Sequence, residues 1–281
     1  IAQPALGRQV RQLESELGVS LLYRHGRGVR PTEEGSQFYN TITPILRELR
    51  HAADELRAAS ETLSGEVSVG LPPSIGATIG ADLIECVRQE HPLIKLHVVD
   101  GFSGFVNEWL VAGRIDLAVV NEARQSPMIR SDRLLEADLF AVGSKLPGKG
   151  ANLTFRRLAQ CPLVLPTRNH GLRREVERAS EEVDLELKIV AEIDSLTAIL
   201  ELVDRGVGTT ILPRGAVGAM VKDHLVRRIV SPEIRMSFSL AYSLQRPATA
   251  AMREVARSIR LAIKEADELG RLHGQIHTGS A

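Results

Sequence analysis

The sequence has two cysteines and no net charge, and each of these shortages excludes a class of protein. Two cysteines in 281 residues cannot build a disulfide scaffold, so an apolar core in a reducing, cytoplasmic setting must hold the fold. Cys86 sits in the apolar run Ile84–Val87 and Cys161 opens Cys-Pro-Leu-Val-Leu. Both read as buried, inert thiols rather than as a redox-sensing pair. Thirty-five basic residues balance 35 acidic ones, which rules out a globally basic nucleic-acid coat and leaves only local patches. No apolar run approaches the roughly 18 residues of a membrane span, so no membrane partner is expected. No charged-then-apolar leader is visible. The sequence also lacks G-x-S-x-G, H-E-x-x-H, G-x-x-x-x-G-K and a G-x-G-x-x-G after a strand. Its eight histidines are scattered, so no catalytic residue, no metal site and no cofactor is expected. The chain begins at Ile1, without Met and directly on a helix, which reads as a truncated start.

What is present falls into three regimes. Residues 1–31 are short and Arg-rich, residues 32–64 are one long helical pattern, and strands alternate with helices from Glu66 onward. In the long helix Phe38, Ile42, Ile45, Leu49, Ala52, Leu56, Ala59 and Leu63 form an unbroken heptad seam. A 3.5-residue period keeps one stripe facing a partner helix, so the seam predicts a homodimer rather than packing on its own domain. Thr32 is the expected N-cap, Gly65 the expected stop, and Pro44 a kink or an early-turn residue. The later strands, a short one at Leu139–Val142 among them, and helices predict a mostly parallel α/β domain with a cleft between two subdomains, 65–133 plus 238–270 and 134–237. Residues 271–281 read as a disordered tail.

The first regime has the anatomy of a winged helix-turn-helix. Pro4 suits a first helical turn, Leu6, Val10, Leu13 and Leu17 make an apolar face, and Gly18 ends the helix. The opposite face offers Gln3, Arg8, Arg11 and Gln12, and a Gly-centred hairpin follows with Arg24, Arg27 and Arg30. Five Arg against two Glu give residues 1–30 a local charge of +3 on a neutral chain. Such side chains grip phosphates and read base edges.

The spaced run Gln3-Pro4-Ala5-Leu6-x-Arg8-Gln9-Val10-x-x-Leu13-Glu14-x-Glu16-Leu17-Gly18-Val19-x-Leu21-Leu22-x-Arg24 resembles the signature of LysR-type transcriptional regulators. Its continuation Arg27-Gly28-Val29-Arg30-Pro31-Thr32-x-x-Gly35 resembles the family's wing and its entry into a linker helix. Ala2, where most members carry Ser, is similar to the nitrogen-assimilation-control-like branch. Gly7 departs from the family's usual Ser or Thr. The resemblance implies that Gln3, Pro4 and Arg8 enter the major groove of a double-stranded DNA operator, with Arg27 on the backbone or minor groove. It implies a homodimer that pairs into a homotetramer, and RNA polymerase as a further partner. Two helices would precede this chain, and without them the DNA-binding capacity would be poor.

The resemblance also implies that the α/β part is similar to periplasmic binding proteins, with a small-molecule effector between the subdomains. Gly113-Arg-Ile-Asp-Leu-Ala-Val119 and Gly206-Val-Gly-Thr-Thr-Ile-Leu-Pro213 resemble family runs and read as structural, with Asp116 satisfying backbone groups. Candidate effector residues lie where strands give way to helices: Ser74, Ser103, Thr167, Arg168, Asn169, His170, Asp194 and Ser195. Helix N-termini favour a carboxylate or inorganic anion. Ser74, Ser103 and Ser195, each taken alone, are more readily plain N-caps than ligand contacts. The rival reading is a solute-binding protein without DNA-binding activity.

Overall fold

A computed structural model describes residues 3–25, 28–58, 63–101, 103–121, 128–217, 225–244 and 248–277. The chain divides into two compact units, residues 1–53 and 54–281.

In the first unit, α1 (Gln3–Leu17) stops at Gly18, whose φ of 71° is a conformation that glycine adopts without a Cβ clash. A two-stranded hairpin follows, β1 (Leu22–His25) antiparallel to β2 (Gly28–Pro31), with Tyr23 opposite Arg30 and Arg24 opposite Val29. The long helix α2 (Glu33–Ala58) starts as its sequence predicts. Thr32 is its N-cap: Gly35 N donates to Thr32 Oγ1 at 2.9 Å, and the same hydroxyl donates to Ser20 O at 2.7 Å. A Cβ on Gly35 would lie 1.9 Å from Leu21 O, so only glycine lets the helix sit this close to the hairpin base. The helix runs unbroken through Pro44.

The second unit begins with parallel strands: β3 (Gly65–Leu71), α3 (Pro73–Glu90), β4 (Ile94–Asp100), α4 (Ser103–Val111) and β5 (Leu117–Asn121). A 15-residue strand, β6 (Ile129–Gly143), then carries the chain into a second lobe. That lobe contains β7 (Asn152–Thr154), α5 (Phe155–Ala159), β8 (Leu163–Leu165), α6 (Gly171–Glu182) and β9 (Ile189–Glu192). It continues with α7 (Leu196–Asp204), β10 (Thr210–Pro213), α8 (Arg214–Val217) and β11 (Leu225–Val230). The strand β12 (Arg235–Ser243) returns the chain to the first lobe, which α9 (Ala250–Glu268) and β13 (Gly274–Ile276) complete.

The main sheet runs β4-β3-β5-β12-β6-β11-β7, with β10 and β13 also paired to β6. Its direction is mixed rather than mostly parallel, because β12 runs antiparallel to both β5 and β6. Apolar runs in a sequence show that a strand is buried and leave its direction open. One core cluster fills both lobes, with Phe155 and Phe238 the largest fully buried side chains. Each fully buried side chain of this size contributes about 1.5–3 kcal/mol. Asp116 does the structural work expected of it: buried, it accepts from Ser68 N at 2.7 Å.

Four sequence expectations are corrected. The long helix ends at Ala58, and Gly65 opens β3 instead of stopping the helix; Leu63 packs against the α/β core. The first crossing strand begins at Ile129, ten residues before the apolar stretch at Leu139, because its polar start Arg130-Ser-Asp-Arg133 is half of an antiparallel ladder with β12. The proposed subdomain boundaries at 133/134 and 237/238 fall inside β6 and β12, so each crossing strand belongs to both lobes. Residues 271–277 are not a loose tail: β13 pairs with β6, and Leu272 is buried. Among the described residues no helix is long and apolar enough to cross a membrane.

Candidate DNA-reading unit and effector cleft

In the first unit one carboxylate ties α1 to the hairpin. Glu14 Oε1 accepts from Leu21 N at 2.9 Å and Leu22 N at 3.1 Å, while Oε2 pairs with Arg24 at 2.8 Å. Glu14 therefore fixes the hairpin to the helix, and Arg24, expected to contact DNA, forms a surface ion pair with it. Arg8, Arg11 and Gln12 are exposed on α1, with Gln12 donating to Glu16 at 3.0 Å, and Arg30 is exposed on β2. Gln3 and Pro4 lie in the first turn of α1, and Arg27 lies outside the described residues. On α2, Phe38 and Ile42 are half-buried, whereas Ile45 and Leu49 are 54% and 68% exposed. Ala52 is exposed, Leu56 lies in the last turns of α2, and Ala59 is outside the described residues. Among the described residues, the centre of the seam is thus open to solvent.

In the second unit a cleft of about 520 Å³ opens between the lobes. The first lobe contributes Pro73, Gly76 and Ala77 from α3, Val98 and Asp100 from β4, and Gly101. The second contributes Asp194, Ser195, Leu196, Thr197 and Leu200 around the start of α7, and Ala216 from α8. Two of the eight sequence candidates, Asp194 and Ser195, are in this lining. Ser195 caps α7 by accepting from Ala198 N at 3.4 Å, and Asp194 accepts from Thr167 N and Thr167 Oγ1, both at 2.8 Å. Thr167 therefore acts behind the cleft, positioning Asp194.

The other candidates lie elsewhere. Ser74 is inside the first turn of α3, whose N-cap is Pro72, and its carbonyl accepts from Thr78 Oγ1. Ser103 begins α4, and its side chain is outside the described residues. Arg168 is 78% exposed, pairs with Glu177 at 3.0 Å and faces a separate hollow of about 510 Å³ beside α6. Asn169 is exposed and offers its carbonyl to Arg174. His170 caps α6: its Nδ1 accepts from Leu172 N at 3.3 Å. Burial lowers the His170 imidazole to about 4, with Asp194 opposing and Arg174 reinforcing the shift. At neutral pH it is an uncharged cap.

Sequence reasoning missed Asp100, although the strand-end rule that selected Ser103 applies equally to the last residue of β4. Gly76 makes room for it, since a Cβ there would lie 2.7 Å from Asp100 Oδ1. The anion-attracting starts of α3 and α7 are thus already faced by the protein's own carboxylates. The described lining carries Asp100 and Asp194 and no cationic side chain, opposite in sign to the expected anion site.

Both cysteines are half-buried rather than fully buried. Burial raises the Cys161 thiol, and burial followed by the Glu90 charge raises Cys86, so neither is poised as a reactive thiolate. Among the described residues no group of three or more His, Cys, Asp or Glu side chains could hold a metal ion.

A helix with exposed arginines and a Gly-turned wing, joined in one chain to a two-lobed domain with an interlobe cleft, defines a ligand-responsive DNA-binding regulator. Residues 1–36 match the family model for the bacterial regulatory helix-turn-helix protein, lysR family, and residues 60–263 match the LysR substrate binding domain. The chain is 35% identical to the nitrogen assimilation regulatory protein nac of Klebsiella aerogenes, over 92% of this chain and 87% of that protein. It is 33% identical to the nac protein of Escherichia coli K12, over 92% of this chain and 85% of that one. The crystal structure of CbnR, a LysR family transcriptional regulator, superposes with a TM-score of 0.73 at 22% identity, covering 94% of this chain and 90% of that one. The chain belongs to the LysR family of DNA-binding transcriptional regulators, with an effector-binding domain.

Proposed function

We propose that this regulator is switched by a small polar effector that is neutral or positively charged and binds between the lobes. The sign of the cleft carries this reading: Asp100 and Asp194 face it from opposite lobes, and no described lining residue is cationic. A carboxylate ligand would meet two like charges in a partly desolvated space, which costs binding energy, whereas an ammonium or polyol gains charge-assisted hydrogen bonds. Closure on such a ligand would draw α3 and α7 together and shift the population of lobe angles.

The remaining parts of the reading follow from the first unit. Arg8, Arg11, Gln12 and Arg30 contact DNA, and Arg24 shapes the wing through Glu14. The exposed Ile45 and Leu49 stripe is covered by a second copy, giving a dimer that pairs again into a tetramer. RNA polymerase is the downstream partner, the setting is cytoplasmic, and the protein carries no catalytic activity of its own.

The test is a thermal-shift panel on the intact protein with putrescine, ethanolamine and glycerol set against succinate and phosphate. Binding at 100 times the dissociation constant stabilises by roughly 2.7 kcal/mol, so a ligand is visible even where its affinity has never been measured. Amines or polyols are expected to raise the melting temperature, and Asp100→Asn to weaken the amine response about tenfold, one charge-assisted contact's worth. Stabilisation by succinate alone, undiminished in D100N, refutes the assignment of sign.

A further inference from the structure

We propose that the segment Arg271–His277 is a strap that ties the two lobes together and sets the angle between them. The strap acts in this way whichever effector the cleft takes. It begins at the end of α9, where Gly270 turns the chain at a φ of 67° and Arg271 N bonds back to Ala266 O at 2.8 Å. From there the segment makes three attachments.

On the first lobe, Arg271 pairs with Asp82 of α3 at 2.6 Å and donates to Thr78 O at 3.3 Å. On the crossing strand itself, β13 adds to β6 with Gly274 opposite Ala137 and Ile276 opposite Leu135, while Asp138 N donates to His273 O at 2.8 Å. Residues Leu135–Ala137 are also paired to β12. The strap therefore makes a third strand where the chain passes between lobes. On the second lobe, the His273 ring lies 5.6 Å from Phe140, a ring that Arg214 of α8 covers from 5.8 Å. A Cβ on Gly215 of α8 would lie 2.9 Å from Arg271 O and 2.3 Å from Thr78 Oγ1, so α8, α3 and the strap meet with no room for a methyl group.

A two-strand crossing between lobes can twist about its long axis. A third strand on the same residues stiffens it, and anchors on α3 and α8 oppose any change in the distance between those helices. The cleft is lined by α3 on one side and by α7 with Ala216 of α8 on the other, so the same attachments limit how far it opens. Losing the strap therefore widens the range of lobe angles without removing a cleft residue.

The experiment uses the full-length protein in two variants. Gly274→Ala places a Cβ 2.0 Å from Glu136 O and lifts β13 from β6. Arg271→Ala leaves β13 paired and removes only the tie to Asp82 and Thr78. Spin labels are introduced through non-natural side chains at Arg88 on α3 and Glu182 on α6, both exposed, and the interlobe distance distribution is measured by pulsed electron resonance. Hydrogen exchange at the Asp138 amide reports whether β13 is seated. We expect Asp138 exchange to rise at least about tenfold in G274A, as for a strand released from its ladder. The distance distribution is expected to broaden in both variants, more in G274A. If G274A does not fold, broadening in R271A supports the strap by itself. An unchanged distribution in R271A, or in G274A despite faster Asp138 exchange, overturns it and leaves β13 as an ordinary edge strand.

Discussion

Replacing His170 with Asn removes a titrating group and leaves a helix cap in place, because an Asn side chain also accepts from the first-turn N–H groups. In the native protein His170 Nδ1 accepts from Leu172 N, so the folded state needs the neutral imidazole. Burial holds that imidazole at about 4 against an ordinary value of 6.5. Between these values the unfolded chain binds a proton that the folded chain refuses. The stability from His170 is therefore intact above pH 6.5 and is lost as pH falls toward 4. At pH 5 the penalty is about 2 kcal/mol, and it levels off near 3 kcal/mol below pH 4. Urea unfolding followed by far-ultraviolet circular dichroism at pH 7 and pH 5 measures it directly, since the other titrating groups are common to both proteins. Wild type should lose about 2 kcal/mol more than His170→Asn on acidification. Equal losses in the two proteins, within roughly 0.5 kcal/mol, would mean that the proton is accepted in the folded state and that burial does not hold the ring neutral.

Two further outcomes test other parts of the molecule. Arg8→Ala should weaken binding to double-stranded DNA and flatten the log affinity against log salt slope by about one if Arg8 meets a phosphate. An unchanged slope with relaxed base preference would instead assign it to a base edge. Asp116→Ala leaves the buried Ser68 N–H without its acceptor and should cost about 1–3 kcal/mol in thermal unfolding, most of it restored in Asp116→Asn.

Structure is most legible in the sequence where local chemistry alone dictates it. The stop at Gly18, the Thr32 cap and the β1–β2 wing each follow from a single residue type at a turn or helix start, and each is found as expected. The binding-domain elements are legible as apolar runs, but β6 reads too short because its first half is polar and gains its order from pairing with β12, about a hundred residues away. The same blindness to distant partners makes residues 271–277 look like a tail: Gly274-Gln-Ile276 is too short and polar to announce itself, and becomes a strand only because β6 offers an edge. At the cleft, the strand-end rule finds Asp194 and Ser195 but cannot give direction. Arg168 leaves the same loop as Thr167 but pairs with Glu177 of α6 and lines a separate hollow instead of the cleft. That pairing reverses the sign of the cleft relative to expectation, and no periodicity in the sequence encodes it.

The antiparallel ladder between β6 and β12 has a consequence for how the protein is made. The second lobe is inserted between these strands, so Tyr242 reaches Asp132 across 110 residues and Arg260 reaches the same carboxylate across 128. As the chain leaves the ribosome, β3, β4 and β5 emerge before β12, and the backbone edge of β5 from Leu117 to Asn121 stays unpaired until β12 arrives. The inserted lobe can close its own β8–β9 pair and the α5–α7 layer during that interval. Assembly order is therefore inverted relative to synthesis: the lobe begun first is finished last. Its waiting strands set both the slow step of folding and the window in which a chaperone, or a neighbouring nascent chain, can intervene.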